Sequence, residues 1–155
     1  MLVVTTYNSQ AVGNIVINAR GPQSISTTPS GGSTYTGSLT TNSSVFARPS
    51  GSGSRYYYQS LLVQVTSYSV YTFVSSGSLD TFGCLYSSSF DPARPSTNLI
   101  ASDDDSNDNG QFRIRATLQS GFTYILVVTT YREERTGRFI VTASGLYGLT
   151  MSPSE

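Results

Sequence analysis

Apolar and polar residues alternate along most of this chain with the two-residue period of β-strands. Residues 111–118 are the clearest case, because one face is apolar and the other carries arginine and threonine. The apolar positions of this segment are Phe112, Ile114, Ala116 and Leu118. No segment shows helical periodicity over about ten residues, and turn residues recur about every 8–12 positions. The pattern therefore predicts an all-β fold, an antiparallel β-sandwich or a barrel.

The same pattern predicts strands at residues 2–7, 14–18, 56–66, 70–74, 80–86, 122–131, 137–143 and 146–151. The segment 122–131 is apolar on both faces around its middle, which is typical of a central strand. We expect this segment to form a hairpin with residues 137–143, buried in the sandwich.

The hexapeptide LVVTTY occurs twice, at residues 2–7 and 126–131. The two copies are 124 residues apart. When residues 2–30 are aligned with residues 126–154 at this offset, eleven of the 29 residue pairs are identical. A period of this length has the size of a domain of about 100–150 residues, whereas solenoid repeats have roughly 20–50. We therefore expect residues 1–20 to be the terminal strands of a preceding repeat. We expect residues 21–38 to be a linker rich in Ser, Thr, Gly and Pro, and residues 39–155 to be the β-sandwich module.

The N-terminal copy carries apolar side chains that need a sheet to pack on. They are Leu2, Val3, Val4, Tyr7, Ile15 and Ile17. Because an isolated hairpin is only marginally stable in water, the copy is expected to pack on its own module or on the sheet edge of a neighbouring chain. Packing on the sheet edge of a neighbouring chain would be strand addition, a head-to-tail contact that builds a filament. A string of independent modules is the simpler alternative.

Composition narrows the classes of function. Nine basic residues balance nine acidic ones, and only 12% of residues are charged, so no electrostatic footprint for nucleic acid or for an anionic membrane is present. No apolar run approaches the about 18–20 residues of a membrane span. The chain has no histidine and one cysteine, Cys84, so nucleophile–base catalysis and a zinc site lack their usual residues. We expect no enzymatic activity and a buried Cys84, with an intermolecular disulfide as the alternative.

Residues 101–110, ASDDDSNDNG, hold four of the nine acidic residues. Within them, the pattern D-x-N-x-N-G from Asp105 to Gly110 matches the first half of a calcium loop. The second half fails, because position 12 is Ala116 instead of a bidentate glutamate, so a ligand such as Asp80 or Asp91 would have to come from elsewhere. The predicted weak Ca²⁺ site comprises Asp80, Asp103, Asp104, Asp105, Asn107 and Asn109. The alternative is a solvated loop whose charge is balanced by a nearby arginine.

Four segments in order, SLDTFGCLY, NLIASDDDSNDNGQFRI, LQSGFTYILVV and YREERTGRFIVTASG, resemble the bacterial pre-peptidase C-terminal domain family. Their order and spacing agree over about 90 residues. The resemblance implies a secreted, non-catalytic, jelly-roll-like β-sandwich, and calcium binding at Asp80 and at Asp103, Asp104 and Asp105. The tandem duplication and the long Ser/Thr-rich segment depart from the family pattern and argue against a role beside a peptidase.

These observations together predict a structural module of an extracellular, tandemly repeated fibre or adhesin that associates with neighbouring modules. Asn42 begins the sequence Asn-Ser-Ser, the one N-glycosylation sequon, and is a candidate glycosylation site. The alternative function is a carbohydrate- or protein-binding accessory domain of a secreted protein. In that case Tyr56, Tyr57, Tyr58, Tyr68 and Tyr71 would offer surfaces on which a glycan could stack.

Overall fold

A computed structural model describes residues 31–154 of the chain. The strands in chain order are β1 Gly31–Leu39, β2 Val45–Phe46, β3 Tyr56–Tyr57, β4 Gln59–Val65, β5 Ser69–Ser76, β6 Thr81–Ser87, β7 Leu99–Asp103, β8 Arg113–Leu118, β9 Tyr124–Thr130, β10 Gly137–Gly145 and β11 Leu149–Pro153. All pairings between these strands are antiparallel. Within the described part of the chain there is no helix that could span a membrane.

The strands form two main sheets that pack face to face. One sheet has the order β1-β10-β5-β8 and the other the order β11-β4-β9-β6-β7, while β2 and β3 form a separate two-stranded ribbon. Without β2, β3 and β11, the remaining eight strands cross between the sheets in the order of a jelly roll, which consists of two Greek keys. The prediction of an all-β, antiparallel, jelly-roll-like sandwich is confirmed.

The main core lies between the two sheets, where the inward residues of each strand meet. In β8 and the residue before it, the inward Phe112, Ile114 and Leu118 are buried, while Arg113 and Arg115 are exposed, as the alternation predicts. All seven residues of β9 are buried, and β9 pairs with β4 on one side and β6 on the other. The prediction of a central strand here is confirmed.

A second apolar cluster covers the outer face of the five-stranded sheet. We call it the outer core; its buried members are Phe46, Tyr56, Phe82, Cys84, Tyr86, Ile125 and Val127. The ribbon β2-β3 contributes Phe46 and Tyr56, and the segment between β6 and β7 contributes Phe90, whose ring packs edge-to-face on the ring of Phe46 at 5.5 Å. This cover explains why β6 and β9 are apolar on both faces, since each strand lies between two cores.

Two predictions about strand arrangement are wrong. Residues 31–38 of the predicted linker form most of β1, whose whole length pairs with β10 from Gly31↔Gly145 to Leu39↔Gly137. Strands β9 and β10 do not form a hairpin, because the chain crosses from one sheet to the other between them. The predicted strand at 56–66 is divided into β3 and β4, and the last strand begins three residues later than predicted.

The described residues begin and end at different places on the sandwich. Gly31 lies beside the β10–β11 turn, since a Cβ on Gly31 would stand 2.1 Å from the carbonyl oxygen of Tyr147. From that turn β11 runs away along β4 until Pro153 pairs with Leu61. The predicted terminal strands at 1–20, the assembly residues Leu2 to Ile17 and linker residues 21–30 lie outside the described part of the chain.

Candidate metal site at the loop end

Three aspartates from two segments converge at one end of the sandwich. Asp80 precedes β6, while Asp104 and Asp105 follow β7. One carboxylate oxygen of each lies within 4.8 Å of the others. We call these residues the acidic triad. Asp80 is the residue that the calcium prediction needed from outside the loop.

The other predicted ligands have different roles or positions. The carboxylate of Asp103 accepts bonds from the backbone N–H of Ser106 (3.1 Å) and of Arg113 (2.8 Å). The amide of Asn107 donates to the carbonyl of Ser75 at 3.1 Å, and its oxygen accepts a bond from the Arg113 guanidinium. Neither side chain belongs to the acidic triad, so both hold the loop in shape.

Asn109 contributes to the shape of the loop backbone, and Asp91 has partners outside the triad. Asn109 and the following Gly110 have φ values of 51° and 71°, the left-handed region that glycine adopts at no steric cost. The alternative ligand Asp91 binds the Arg94 side chain at 2.8 Å and the Ala93 N–H at 2.9 Å. The predicted D-x-N-x-N-G ligand pattern therefore contributes Asp105 to the triad, while Gly110 makes the bend.

A buried polar network anchors the loop to the sheets. Gln111 is buried and donates to the carbonyl of Leu79 at 2.8 Å. The hydroxyls of Ser75 and Thr81 are 2.7 Å apart, and Ser75 Oγ accepts the N–H of Phe112 at 2.9 Å. Because buried polar groups are costly unless paired, these bonds fix where Asp80 and the loop meet. Sequence reasoning missed this network, since Gln111 follows a polar loop without any distinguishing pattern.

Arg48 is the second feature that the sequence did not indicate. Its side chain is only 6% exposed, and the guanidinium carbon lies 3.9 Å from the centroid of the Phe82 ring. One nitrogen donates to the carbonyl of Tyr131 at 3.2 Å, whereas Nε is buried and has no hydrogen-bond partner in the structure. A buried cation of this kind requires compensation, and the acidic triad supplies negative charge nearby.

The charges of the triad and of two arginines act on one another. Burial raises the pKa of Asp80 and the charge of Asp105 raises it further, while Arg132 and Arg48 oppose the rise. Burial likewise raises the pKa of Asp104, followed by the charges of Asp105 and Asp80. Both carboxyls therefore resist ionisation at the site, although two cations are close.

The residues of the triad fit a hard cation such as Ca²⁺, which prefers carboxylate oxygens. Asp104 Oδ1 is buried and has no hydrogen-bond partner, as expected of an oxygen that faces a ligand instead of a protein donor. Ca²⁺ takes six to eight oxygen ligands at about 2.3–2.6 Å, so water or backbone carbonyls would have to complete the shell. The two arginines reduce the net negative charge of the site and are expected to weaken binding.

The remaining candidate residues have clear positions. Cys84 is fully buried in the outer core, as predicted, and burial raises the pKa of its thiol to about 12. Tyr56, Tyr57 and Tyr71 are also buried, so they offer no platform for glycan stacking. Asn42 is exposed in the turn after β1, in a position that an attached glycan could occupy.

A clasp at the same end of the molecule joins two loops. The N–H of Arg55 donates to Glu133 at 2.6 Å, and its Nε donates to Glu134 at 2.6 Å. Both side chains of the Arg55–Glu134 pair are more than half exposed.

Fold and site together define an antiparallel β-sandwich of jelly-roll topology with an acidic triad at one end. Comparison with protein-family models found no match. Comparison with curated proteins also found no similar sequence. The resemblance to the pre-peptidase C-terminal domain family therefore rests on the four sequence segments alone.

Proposed function

We propose that this chain is a non-catalytic structural module of an extracellular tandem-repeat fibre or adhesin. Its modules follow one another head to tail, strand addition joins neighbouring chains, and Ca²⁺ stabilises each module. The observation that carries the proposal is a similarity of lengths: the described strands, from Gly31 in β1 to Pro153 in β11, span 123 residues, and the repeat period is 124 residues. One period thus corresponds to one closed sandwich with two cores, as a self-contained unit of an array should.

The edges of the sheets favour β1 as the acceptor for an added strand. Among the described strands, β1 lies at one edge of the four-stranded sheet and β8 at the other. Natural edges are usually protected by charge, proline or short length. Strand β8 carries Arg113 and Arg115, whereas the nine residues of β1 contain neither a charged residue nor a proline. An apolar extended segment such as residues 2–7 could add to such an edge through backbone hydrogen bonds.

Size-exclusion chromatography of residues 1–155 and of residues 31–155 tests the strand addition. We expect the longer chain to form oligomers whose size increases with concentration, and the shorter chain to be a monomer. In a matched control, the double substitution Leu2→Asp and Val4→Asp keeps the length but should abolish association, since charged residues on the added strand oppose burial. Two monomers would refute strand addition and leave the tandem array untouched.

Thermal unfolding with and without Ca²⁺ tests the metal site. We expect millimolar Ca²⁺ to raise Tm, because a ligand that binds only the folded state stabilises it. Asp105→Asn should remove the shift, whereas Asp108→Asn should retain it, because Asp108 lies in the same loop but outside the triad. The same Tm at about 10 mM Ca²⁺, well above the weak-site range of about 10⁻⁴–10⁻³ M, would refute calcium binding.

A further inference from the structure

Two turns at the start of β1 expose large apolar side chains. These N-terminal turns are residues 66–68 and 146–148, and they are joined by a 3.0 Å hydrogen bond from Thr66 N to Gly148 O. Tyr68 is 69% exposed and Leu146 is 62% exposed, and Tyr147 beside them is also exposed. Single exposed apolar residues are common on proteins, but a cluster marks an interaction surface.

The chain reaches the module at this cluster. Gly31 is in close contact with Tyr147 and Gly148, so the start of β1 as described lies beside the N-terminal turns. In the repeat register, Pro29 and Ser30 correspond to Pro153 and Ser154, and Pro153 ends β11. An array in this register therefore leaves at most one residue between β11 of one repeat and β1 of the next, so no spacer separates them.

The described chain ends beside a pocket lined by serines and by aromatic and aliphatic side chains, which we call the terminal pocket. Ser154 continues the pairing of β11, since its N–H donates to Ser60 O at 3.0 Å and the two hydroxyls are 2.7 Å apart. The terminal pocket has a volume of about 300 Å³. Its other lining residues are Tyr58, Ser88, Ser89, Phe90, Pro92 and Ile125.

We propose that, in the array, the terminal pocket of each repeat receives the N-terminal turns of the repeat that follows. This inference rests on the tandem array of the proposed function and specifies its junction. The direct Ser–Gly connection brings the exposed Leu146 and Tyr147 of the second repeat close to Tyr58 and Phe90 of the first. The occupant is thus a second copy of the same module. Apolar side chains of both modules are removed from water where the two meet. A junction of this kind fixes the angle between modules, whereas a spacer would leave it free.

Cysteine labelling of the full chain extended by one repeat tests the junction. Residues 31–154 are added directly after Ser154, Cys84 is changed to Ala, and Leu146→Cys is introduced in either the first or the second copy. The first copy is preceded by residues 1–30, which lack Tyr58, Phe90 and Pro92. We expect a thiol reagent to label Leu146→Cys in the second copy at least tenfold more slowly than in the first copy, because only the second copy follows a module with a terminal pocket. Ile140→Cys, on the outer face of the four-stranded sheet, should react at the same rate in both copies.

A pair of neighbouring substitutions in the first copy sharpens the test. Pro92 lines the terminal pocket, while the next residue, Ala93, is equally solvent-accessible but does not line it. Pro92→Arg should crowd the pocket and restore fast labelling of Leu146→Cys in the second copy, whereas Ala93→Arg should leave labelling slow.

The outcomes separate the junction from the array. Equal labelling of the two copies, in a chain that calorimetry shows to contain two folded modules, would overturn the junction and leave the proposed function standing. A chain in which only one copy folds would contradict the tandem array itself, and the junction with it.

Discussion

The outer core and the acidic triad meet at Arg48 but are stabilised by opposite means. The outer core is a set of rings in contact, such as Tyr86 on Phe90 with 4.9 Å between centroids, and its contribution comes from apolar burial. The acidic triad consists of like charges, and burial together with the charge of Asp105 raises the pKa of Asp80 and of Asp104. The comparison teaches that the outer core is stable by itself, whereas the end of the sandwich that holds the triad depends on what compensates its charge.

The largest effect should come from the outer core. Phe46 is buried against Tyr58 and Phe90, so Phe46→Ala should lower the free energy of unfolding by about 3–5 kcal/mol, the range for buried Phe→Ala. Val45 is the adjacent residue of β2 and is 40% exposed, so Val45→Ala should change the value by less than about 0.5 kcal/mol. Urea unfolding gives both values. Similar losses at the two positions would mean that the outer core contributes little.

The sequence predicted strands β8 and β9 better than it predicted strand β1. Alternation and apolar runs identify β8 and β9 because their burial is decided along a single strand. Strand β1 has the composition of a linker, because its small residues leave Tyr35 and Leu39 as its two large side chains. What makes it a strand is its pairing with residues of β10 that lie 98 to 114 positions away in the sequence, and such pairing is not encoded locally.

The same limit applies to the candidate site. A run of aspartates indicated the loop, and Asp80 was a candidate because an additional ligand was needed. The sequence could not show that Asp103 and Asn107 bind the backbone and Arg113 instead, since side-chain direction depends on the loop's fold. Arg48 lies in the polar segment ARPSGSGSR, which is typical of an exposed loop. Its burial comes from packing on the rings of Phe82 and Tyr56, which the local sequence does not show.

Arg48→Met tests the residue that joins the two regions. The change removes the contact with the Phe82 ring and the bond to Tyr131, which are worth roughly 0.5–2 and 1.5–3 kcal/mol. It also removes a buried cation with an unpaired Nε, and this relief offsets part of the loss. We expect a net loss of about 1–2 kcal/mol in urea unfolding. The Ca²⁺-induced rise in Tm should become larger, because a competing cation is gone.

The two readouts of Arg48→Met separate its roles. A loss of stability with an unchanged response to Ca²⁺ would assign Arg48 to the outer core alone. A gain in stability would contradict the interpretation that the triad and the Phe82 ring compensate the buried charge.

Asp104→Asn should produce a smaller effect of opposite sign. The folded-state pKa of Asp104 is raised above its ordinary value, so the protonated group contributes stability below the unfolded pKa of about 3.9. That contribution is lost as the pH rises through the folded pKa. The amide carries no charge, so without Ca²⁺ the variant should be more stable at pH 7 by up to about 1 kcal/mol. The difference should vanish at low pH.

Asp103→Asn is the matched control for this pH series. Asp103 accepts bonds from the N–H groups of Ser106 and Arg113, so loss of its charge should destabilise the module at pH 7. Unfolding curves between pH 3 and pH 8 would distinguish the two residues. Destabilisation by Asp104→Asn at neutral pH would show that Asp104 is a structural acceptor and that the triad is already neutralised by Arg48 and Arg132.

The smallest effect is expected at the clasp between Arg55 and Glu134, which has a short contact but lies in water. Its Nε–Oε1 distance is 2.6 Å, yet the side chains are 61% and 58% exposed. Exposed ion pairs contribute about 0–1 kcal/mol because solvent screens the charges and the side chains lose entropy. Arg55→Ala also keeps the N–H that donates to Glu133. We therefore expect the smallest loss of the series, and a loss that shrinks further in high salt. A loss as large as that of Arg48→Met that salt does not reduce would mean that the two loops form one rigid unit with the outer core, so that the charged end of the sandwich is held by packing as well.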